Sequence, residues 1–259
     1  MASIFWSVGL VNARQDPLIH KVSIDLPRWP QNERAIRILL MSDIHFGSAA
    51  MDFARLERIV GIANNQHPDI VLLAGDFVDG RSKLKARQSM PKLSTALKRL
   101  YAPLGVVAVL GNHDHDTDPA FIARALGQIG ITVLSNRAIR RGPLAIGGLD
   151  DPSTGQDQVE TTLKSLDALP GARIILAHTP KPIWRLPKDG MLLLAGHTHC
   201  GQIRISPIWA AMAKQPDFRC GIVRDRRRTT IVTGGLGTSF LPLRFAAPPD
   251  VWLIRVGPA

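Results

Sequence analysis

The chain has 259 residues, 45% of them apolar, and carries 32 Lys and Arg against 21 Asp and Glu, a net charge of +11. That apolar share supplies a buried core and excludes a disordered chain; 19 Pro and 22 Gly exclude a coiled coil, and 2 Cys exclude a disulfide-dense scaffold. The cation surplus points to an anionic partner: nucleic acid, a membrane surface or a phosphorylated substrate. Residues 4–11 (IFWSVGLV) form an apolar start, but the first basic residue, Arg14, lies behind it, unlike a secretory signal. This start reads either as an edge segment packed on the body or as one that touches a membrane. It belongs to a lead-in of residues 1–35 on a single predicted domain spanning 1–259. No stretch approaches the ~20 apolar residues of a membrane span.

Short apolar runs at 36–41, 70–74, 106–110, 174–177 and 191–195 predict buried strands, and 144–148, 203–206, 229–233 and 251–256 add strands to the second half. Between the first two runs, Phe53, Leu56, Ile59, Val60 and Ala63 mark one face of a helix over 52–64. Helices are also predicted over 91–100, 119–129 and 158–168, the first two with Pro near the start. Strands alternating with helices predict a layered α/β fold.

Polar residues concentrate where the apolar runs end. The first run is followed by SDIH (42–45), the second by GDFVD (75–79) and the third by GNHD (111–114). The fourth ends at His178, and the fifth runs into GHTH (196–199). In open α/β sheets the ligand crevice lies beyond the carboxyl ends of the strands, so these groups can converge. Asp-x-His and His-x-His put two side chains on one side of an extended segment. Imidazole combined with carboxylate suits zinc, manganese or iron, whereas carboxylate alone favours magnesium or calcium. Seven candidate ligands exceed what one tetrahedral ion needs, and a bridging carboxylate lets two ions sit ~3.5–4 Å apart. Phosphate loops of the GxxxxGK type and GxSxG elbows are absent from the sequence. The pattern predicts a two-metal hydrolase.

The ordered blocks SDIH, GDFVD, GNHD, AHTP (177–180) and GHTH resemble the calcineurin-like metallophosphoesterase superfamily. The wider context, GHTHCGQIRI (196–205) and GGLGTSFLPLRFAAPPDVWLI (234–254), resembles its YkuE/YaeI-like branch of bacterial phosphohydrolases. The resemblance implies a four-layer α-β-β-α sandwich, two mixed β-sheets flanked by helices, with the metals at one edge. It assigns Asp43, His45 and His199 to a first ion, Asn112, His178 and His197 to a second, and Asp76 to both. His113 would protonate or stabilise the leaving oxygen, oriented by Asp79, for which a helix N-cap is the competing reading. The implied reaction is phosphoester hydrolysis by metal-activated hydroxide, on a mono- or diester or a lipid-linked or UDP-linked pyrophosphate. The cofactors would be two divalent ions, manganese, iron or zinc. A cytoplasmic protein peripheral to the inner membrane is the expected setting. The alternative is a basic nucleic-acid-binding protein or a nuclease with a metal site.

Several features stay open at this level. Cys200 and Cys220 read as buried small residues, as a disulfide or as a redox-sensitive or metal-contacting thiol pair. Arg81, Lys83, Lys85 and Arg87 either attract an anionic substrate or form a solvated loop. Arg224, Arg226, Arg227 and Arg228 suggest a hairpin with exposed arginines. Arg244 is a candidate phosphate contact or the partner of an acidic neighbour. Apolar residues at 205–213 and 239–245 read as core, or as a rim touching lipid beside a basic surface. Only one Tyr occurs, which disfavours a stacking platform for single-stranded nucleic acid. Asp114, His115 and Asp116 read as loop polar residues or as supports of the site, and His20 and His67 as structural.

Overall fold

Apolar runs that alternate their side chains between two covered faces build the centre of this molecule. The computed structural model describes residues 2–80, 82–204, 218–225 and 228–259. The first half holds α1 (Ala2–Arg14), β1 (Leu18–Leu26), β2 (Ile36–Met41), α2 (Phe53–Asn64), β3 (Ile70–Ala74), α3 (Lys83–Leu97), β4 (Val106–Val109), α4 (Asn112–His115), α5 (Pro119–Gln128) and β5 (Ile131–Val133). The second holds β6 (Arg137–Arg141), β7 (Leu144–Gly148), α6 (Val159–Asp167), β8 (Ala172–Leu176), β9 (Leu192–Ala195), β10 (Gly221–Asp225), β11 (Arg228–Val232) and β12 (Asp250–Pro258). The first sheet has the order β1-β12-β2-β3-β4-β5 and the second β10-β11-β9-β8-β7-β6. Both are mixed: β12 runs antiparallel to β2, β6 to β7 and β10 to β11, while the other pairs are parallel.

Period-2 alternation assigns the layers. Ile38, Leu40, Leu72, Val107 and Val109 of the first sheet meet Ile146, Ile174, Leu176, Leu192 and Leu194 of the second in one buried core. The alternate residues Leu39, Met41, Val71, Leu73 and Ala108 turn outward onto Leu56, Ile59 and Val60 of α2 and Met90, Leu93 and Leu97 of α3. On the far side Ala145, Ile175, Leu193 and Val232 pack on Val159 and Leu166 of α6. The result is the expected four-layer sandwich of two mixed sheets flanked by helices.

Some local expectations change. The helix expected from Pro91 begins at Lys83, because the Ser82 hydroxyl accepts the Lys85 N–H as an N-cap, and Pro91 lies inside it. Residues 4–11 lie within α1, and β1 pairs along its length with β12, so residues 1–35 contain an integral strand. Of the strand expected at 203–206, Ile203 makes a single bridge to Phe245. Residues 205–213, Arg81, Arg226 and Arg227 lie wholly outside the described residues. The arginine-rich stretch forms the β10–β11 hairpin, in which Arg224 is exposed but Arg228 is buried. Arg228 donates to the carbonyls of Ile183 and Leu186 and pairs with Asp225. Those carbonyls need a donor inside the protein, which is why this arginine turns inward.

Candidate metal centre

Five strands of the two sheets deliver their polar ends to one edge of the sandwich. Asp43 and His45 follow β2, Asp76 follows β3, and Asn112 opens α4 directly after β4. His178 follows β8, and His197 and His199 follow β9. The loops are tied across: Asp43 N–H donates to the Gly75 carbonyl at 2.9 Å, His45 N–H to that of Asp76 at 3.0 Å, and Gly196 N–H to that of His178 at 2.9 Å. Asp43, His45, Asp76, His197 and His199 all have positive φ, between 45° and 71°. Non-glycine residues adopt this left-handed backbone at a cost, and it recurs where the surrounding structure must aim a side chain. Gly235, at φ 71°, lies where a Cβ would come within 2.5 Å of the Asp43 Cβ, so the backbone closes over Asp43 only with glycine there.

The side chains gather into two sets that share one atom. In the first, His199 Nε2 lies 3.3 Å from Asp43 Oδ1 and 3.1 Å from His45 Nε2. In the second, His178 Nε2 lies 3.1 Å from His197 Nδ1 and 3.2 Å from Asn112 Oδ1. Asp76 Oδ2 stands between the sets, 3.6 Å from His45 Nε2 and 3.2 Å from His178 Nε2. Its other oxygen accepts the His113 backbone N–H at 2.9 Å. Asp43, His45 and His199, and likewise Asp76, His178 and His197, bring ligand atoms within 4.8 Å of one another. All seven residues expected as ligands are thus brought together.

Electrostatics gives this cluster a need for positive charge. Burial raises the Asp43 carboxyl to about 6, although His178 opposes the rise. Burial also lowers His45 to about 3 and His199 well below the ordinary imidazole value. For His178 burial works toward neutrality, but the Asp76 carboxylate outweighs it and lifts the imidazole to about 10. Asp76 itself is held well below the usual carboxylate range, the attraction of His178 overcoming burial. Two carboxylates and four imidazoles, all buried, present acceptor atoms to each other at close range. His45 Nδ1 has no hydrogen-bond partner. The His178 Nδ1 donates to the Ala74 carbonyl at 2.7 Å, which turns Nε2 toward Asp76 and the centre, where a cation would take the place of its proton. The donor set therefore fits two divalent cations sharing the Asp76 carboxylate.

His113 sits beside this cluster, its ring edge-on to His45 with centroids 4.6 Å apart. It groups with His45 and Asp76. Its Nδ1 lies 2.6 Å from the main-chain carbonyl of Asp79, whereas the sequence expectation placed the carboxylate there. Gly80, at φ 73°, turns the chain so that this carbonyl reaches the ring. A carbonyl only accepts, so Nδ1 carries the proton that faces Asp79.

Two residues matter more than the sequence revealed. Asp114 is fully buried and accepts the backbone N–H groups of Phe77 at 2.9 Å, Val78 at 3.3 Å and Gly111 at 3.0 Å. It ties the Asp76 loop to the Asn112 loop, and burial followed by Asp76 raises its carboxyl to about 7. Its position directly after Asn-His was the available signal. Arg55 of α2 is buried and donates to the carbonyls of Leu236, Ala50, Arg14 and Gln15. In a helix of ordinary amphipathic pattern it gave no such sign.

Arg244 is fully buried, with its guanidinium among the carbonyls of Gly234, Gly235, Gly237 and Ala247. Its Nη2 also stands 3.4 Å from His199 Nδ1. It is therefore spent on the loop that walls the site and does not face a phosphate. Of the three readings for the cysteines, the disulfide is the one formed: Cys200 and Cys220 are bonded, with Cα atoms 4.8 Å apart.

Residues 36–201 match the family model "Calcineurin-like phosphoesterase". A protein of Danio rerio named "Transmembrane protein with metallophosphoesterase domain" is 31% identical over 264 residues, covering 94% of this chain. The chain spans 58% of that relative's length. An uncharacterized metallophosphoesterase of Helicobacter pylori (strain J99) is 30% identical over 265 residues, covering 98% of this chain and 67% of its own. Among solved structures, a Thermus thermophilus protein, TT1561, superposes with a TM-score of 0.51 at 17% identity, over 78% of this chain and 91% of its own, a likeness of fold.

Proposed function

Because this chain belongs to the calcineurin-like phosphoesterase family, we propose that it is a dinuclear-metal-dependent phosphohydrolase of the YkuE/YaeI-like branch, cleaving a phosphomonoester, a phosphodiester or the pyrophosphate of a lipid-linked or UDP-linked substrate. The observation that carries the reading is the position of Asp76 Oδ2 between two sets of ligand atoms, 3.6 Å from one imidazole nitrogen and 3.2 Å from another. In this reading Asp43, His45 and His199 hold one ion, Asn112, His178 and His197 the other, and Asp76 both. Manganese, iron or zinc suits so imidazole-rich a set. Bound there, two divalent cations would supply the positive charge that offsets phosphate oxygens and acidifies an attacking water.

The remaining chemistry belongs to the protein. The Asp79 carbonyl fixes Nδ1–H of His113, so the protonated ring can release its Nε2 proton to the departing oxygen. Asp114 keeps the backbone beneath Asp76 and His113 in place by accepting N–H groups from the Asp76 and Asn112 loops. The Danio rerio relative is named as a transmembrane protein, which favours a membrane-proximal site of action. We place this chain in the cytoplasm, peripheral to the inner membrane, on a phosphorylated small-molecule or lipid-linked substrate.

The test is purification without chelator, metal quantification, and assay of bis-p-nitrophenyl phosphate. Hydrolysis should be abolished by EDTA and restored by manganese. His113→Gln should lower turnover by ~10²–10⁴ while bound metal stays unchanged. Protein that holds no metal and cleaves nothing in a panel of nucleotides, nucleic acids, sugar phosphates and UDP-linked lipids would overturn the reading.

A further inference from the structure

We propose that the outer face of α1 and the loop tip at Phe240 and Leu241 dock on an anionic lipid bilayer, setting the mouth of the metal centre at the membrane surface. Helix α1 is fastened by its inner face. Gly9 lies against Phe245, where a Cβ would come within 2.6 Å of the ring. The Gly9 carbonyl accepts the Arg244 N–H at 3.0 Å, and Phe5 stacks on Phe245 with centroids 4.3 Å apart. Fastening this face leaves Val8, 46% exposed, and Val11, 67% exposed, on the opposite one, while Trp6, 49% exposed, lies on the flank of the helix beside Gly9 and Ala13.

The segment that receives α1 carries the second apolar element. Phe240 is 77% exposed and Leu241 42%. Their loop is not a loose one. The Gln202 side chain donates to the carbonyls of Ser239 at 3.1 Å and Leu241 at 2.7 Å, and accepts the Ser239 N–H at 2.9 Å. Phe240 itself is held at φ 60°. A rigid loop that presents a large ring to water keeps apolar area ready for a partner.

Charge and position select a bilayer. A cavity of about 180 Å³ joins Phe240 and Pro242 to Lys85 and to Asp79, whose carbonyl holds the His113 ring. Lys83, Leu84 and Lys85 open α3 on that side, and Leu84 is 66% exposed. Aromatic and aliphatic side chains beside lysines, around a polar mouth, match an interface of acyl chains below and anionic headgroups above. The chain's net charge of +11 adds a long-range attraction to such a surface. A second copy fits less well, because an isologous contact uses the same patch twice and would bring the Lys83 and Lys85 of both copies into one interface. Combined with the phosphohydrolase reading, on which this consequence rests, the substrate would be a phosphoester carried by a membrane amphiphile.

The test is co-sedimentation with vesicles of phosphatidylcholine, with and without phosphatidylglycerol. The native chain should pellet with vesicles containing phosphatidylglycerol and be released by salt. Val8→Ser combined with Val11→Ser should weaken this partition about ten-fold, while hydrolysis of soluble bis-p-nitrophenyl phosphate is retained and shows the fold intact. Lys83→Glu combined with Lys85→Glu should remove the preference for phosphatidylglycerol. A native chain that stays in the supernatant with both vesicle types overturns the proposal. So does concentration-dependent dimerisation that the Val8 and Val11 changes abolish without any vesicle binding. Sedimentation requires neither metal nor turnover, so its failure leaves the hydrolytic reading standing, and inactive protein that still pellets overturns only the latter.

Discussion

The two sheets contribute unequally to the centre they share. The first sheet sends both carboxylates, the amide of Asn112 and one imidazole; the second sends three imidazoles and no carboxylate. The anionic charge that would retain cations is therefore concentrated on one side, and the soft nitrogen ligands on the other. The loops are also secured differently. Asp114 gathers three backbone N–H groups on the first side, while a disulfide follows His199 on the second.

This asymmetry can be broken directly. Asp76→Asn removes charge from both sets at once and should empty both sites. His197→Ala should release one of about two bound ions and leave the other. Atomic emission on the purified variants reads the difference; equal losses would make the sharing by Asp76 untenable. Reduction of the disulfide, or Cys220→Ser, acts on the second side alone. It should lower unfolding stability by about 3 kcal/mol, measured by urea titration, and weaken the ion held through His199 more than the one held through His178.

A smaller effect probes the seam between the sheets. His115, the last residue of α4, lies 2.6 Å from Asp150, which follows β7. The hydrogen bond to Asp150 raises His115, against its burial. Asp150 is lowered: burial would raise it, and the bonds from His115 and Ser135 prevail. The His115 contribution is complete below its unfolded value of 6.5 and fades as pH rises through its higher folded value. The Asp150 contribution is complete above 3.8 and fades as pH falls through its lower folded value. The pair should stabilise most between those limits, by on the order of 1 kcal/mol. In His115→Ala the stability measured at pH 5 and at pH 8 should draw together; an unchanged difference would remove the pair from the account.

Much of the fold was legible because the inner strands are apolar on both faces. Runs such as 36–41 and 70–74 need no tertiary information to be recognised, and their polar ends announced the ligands. Strand β1 was harder, since Leu18, His20 and Val22 alternate only weakly and its burial comes from β12, far away in sequence. Arginines were misjudged for a related reason. Arg228 and Arg244 serve backbone carbonyls that become buried only once the loops have folded, and nothing local records that demand. The Asp79 residue was found, but the atom that does the orienting is its carbonyl, which every residue possesses.

The place of β12 sets an order on synthesis. The strand lies between β1 and β2, both of which leave the ribosome long before it, and it follows every other described strand in the sequence. Until position 250 has emerged, β1 has no neighbour and β2 exposes an open edge, the kind of surface that pairs with other chains. The loop bearing Gly235 and Arg244, which closes over Asp43 and His199, emerges in the same late stretch. A nascent chain can thus complete its ligand loops before it can wall them, so a chain stalled before 234 would carry them uncovered.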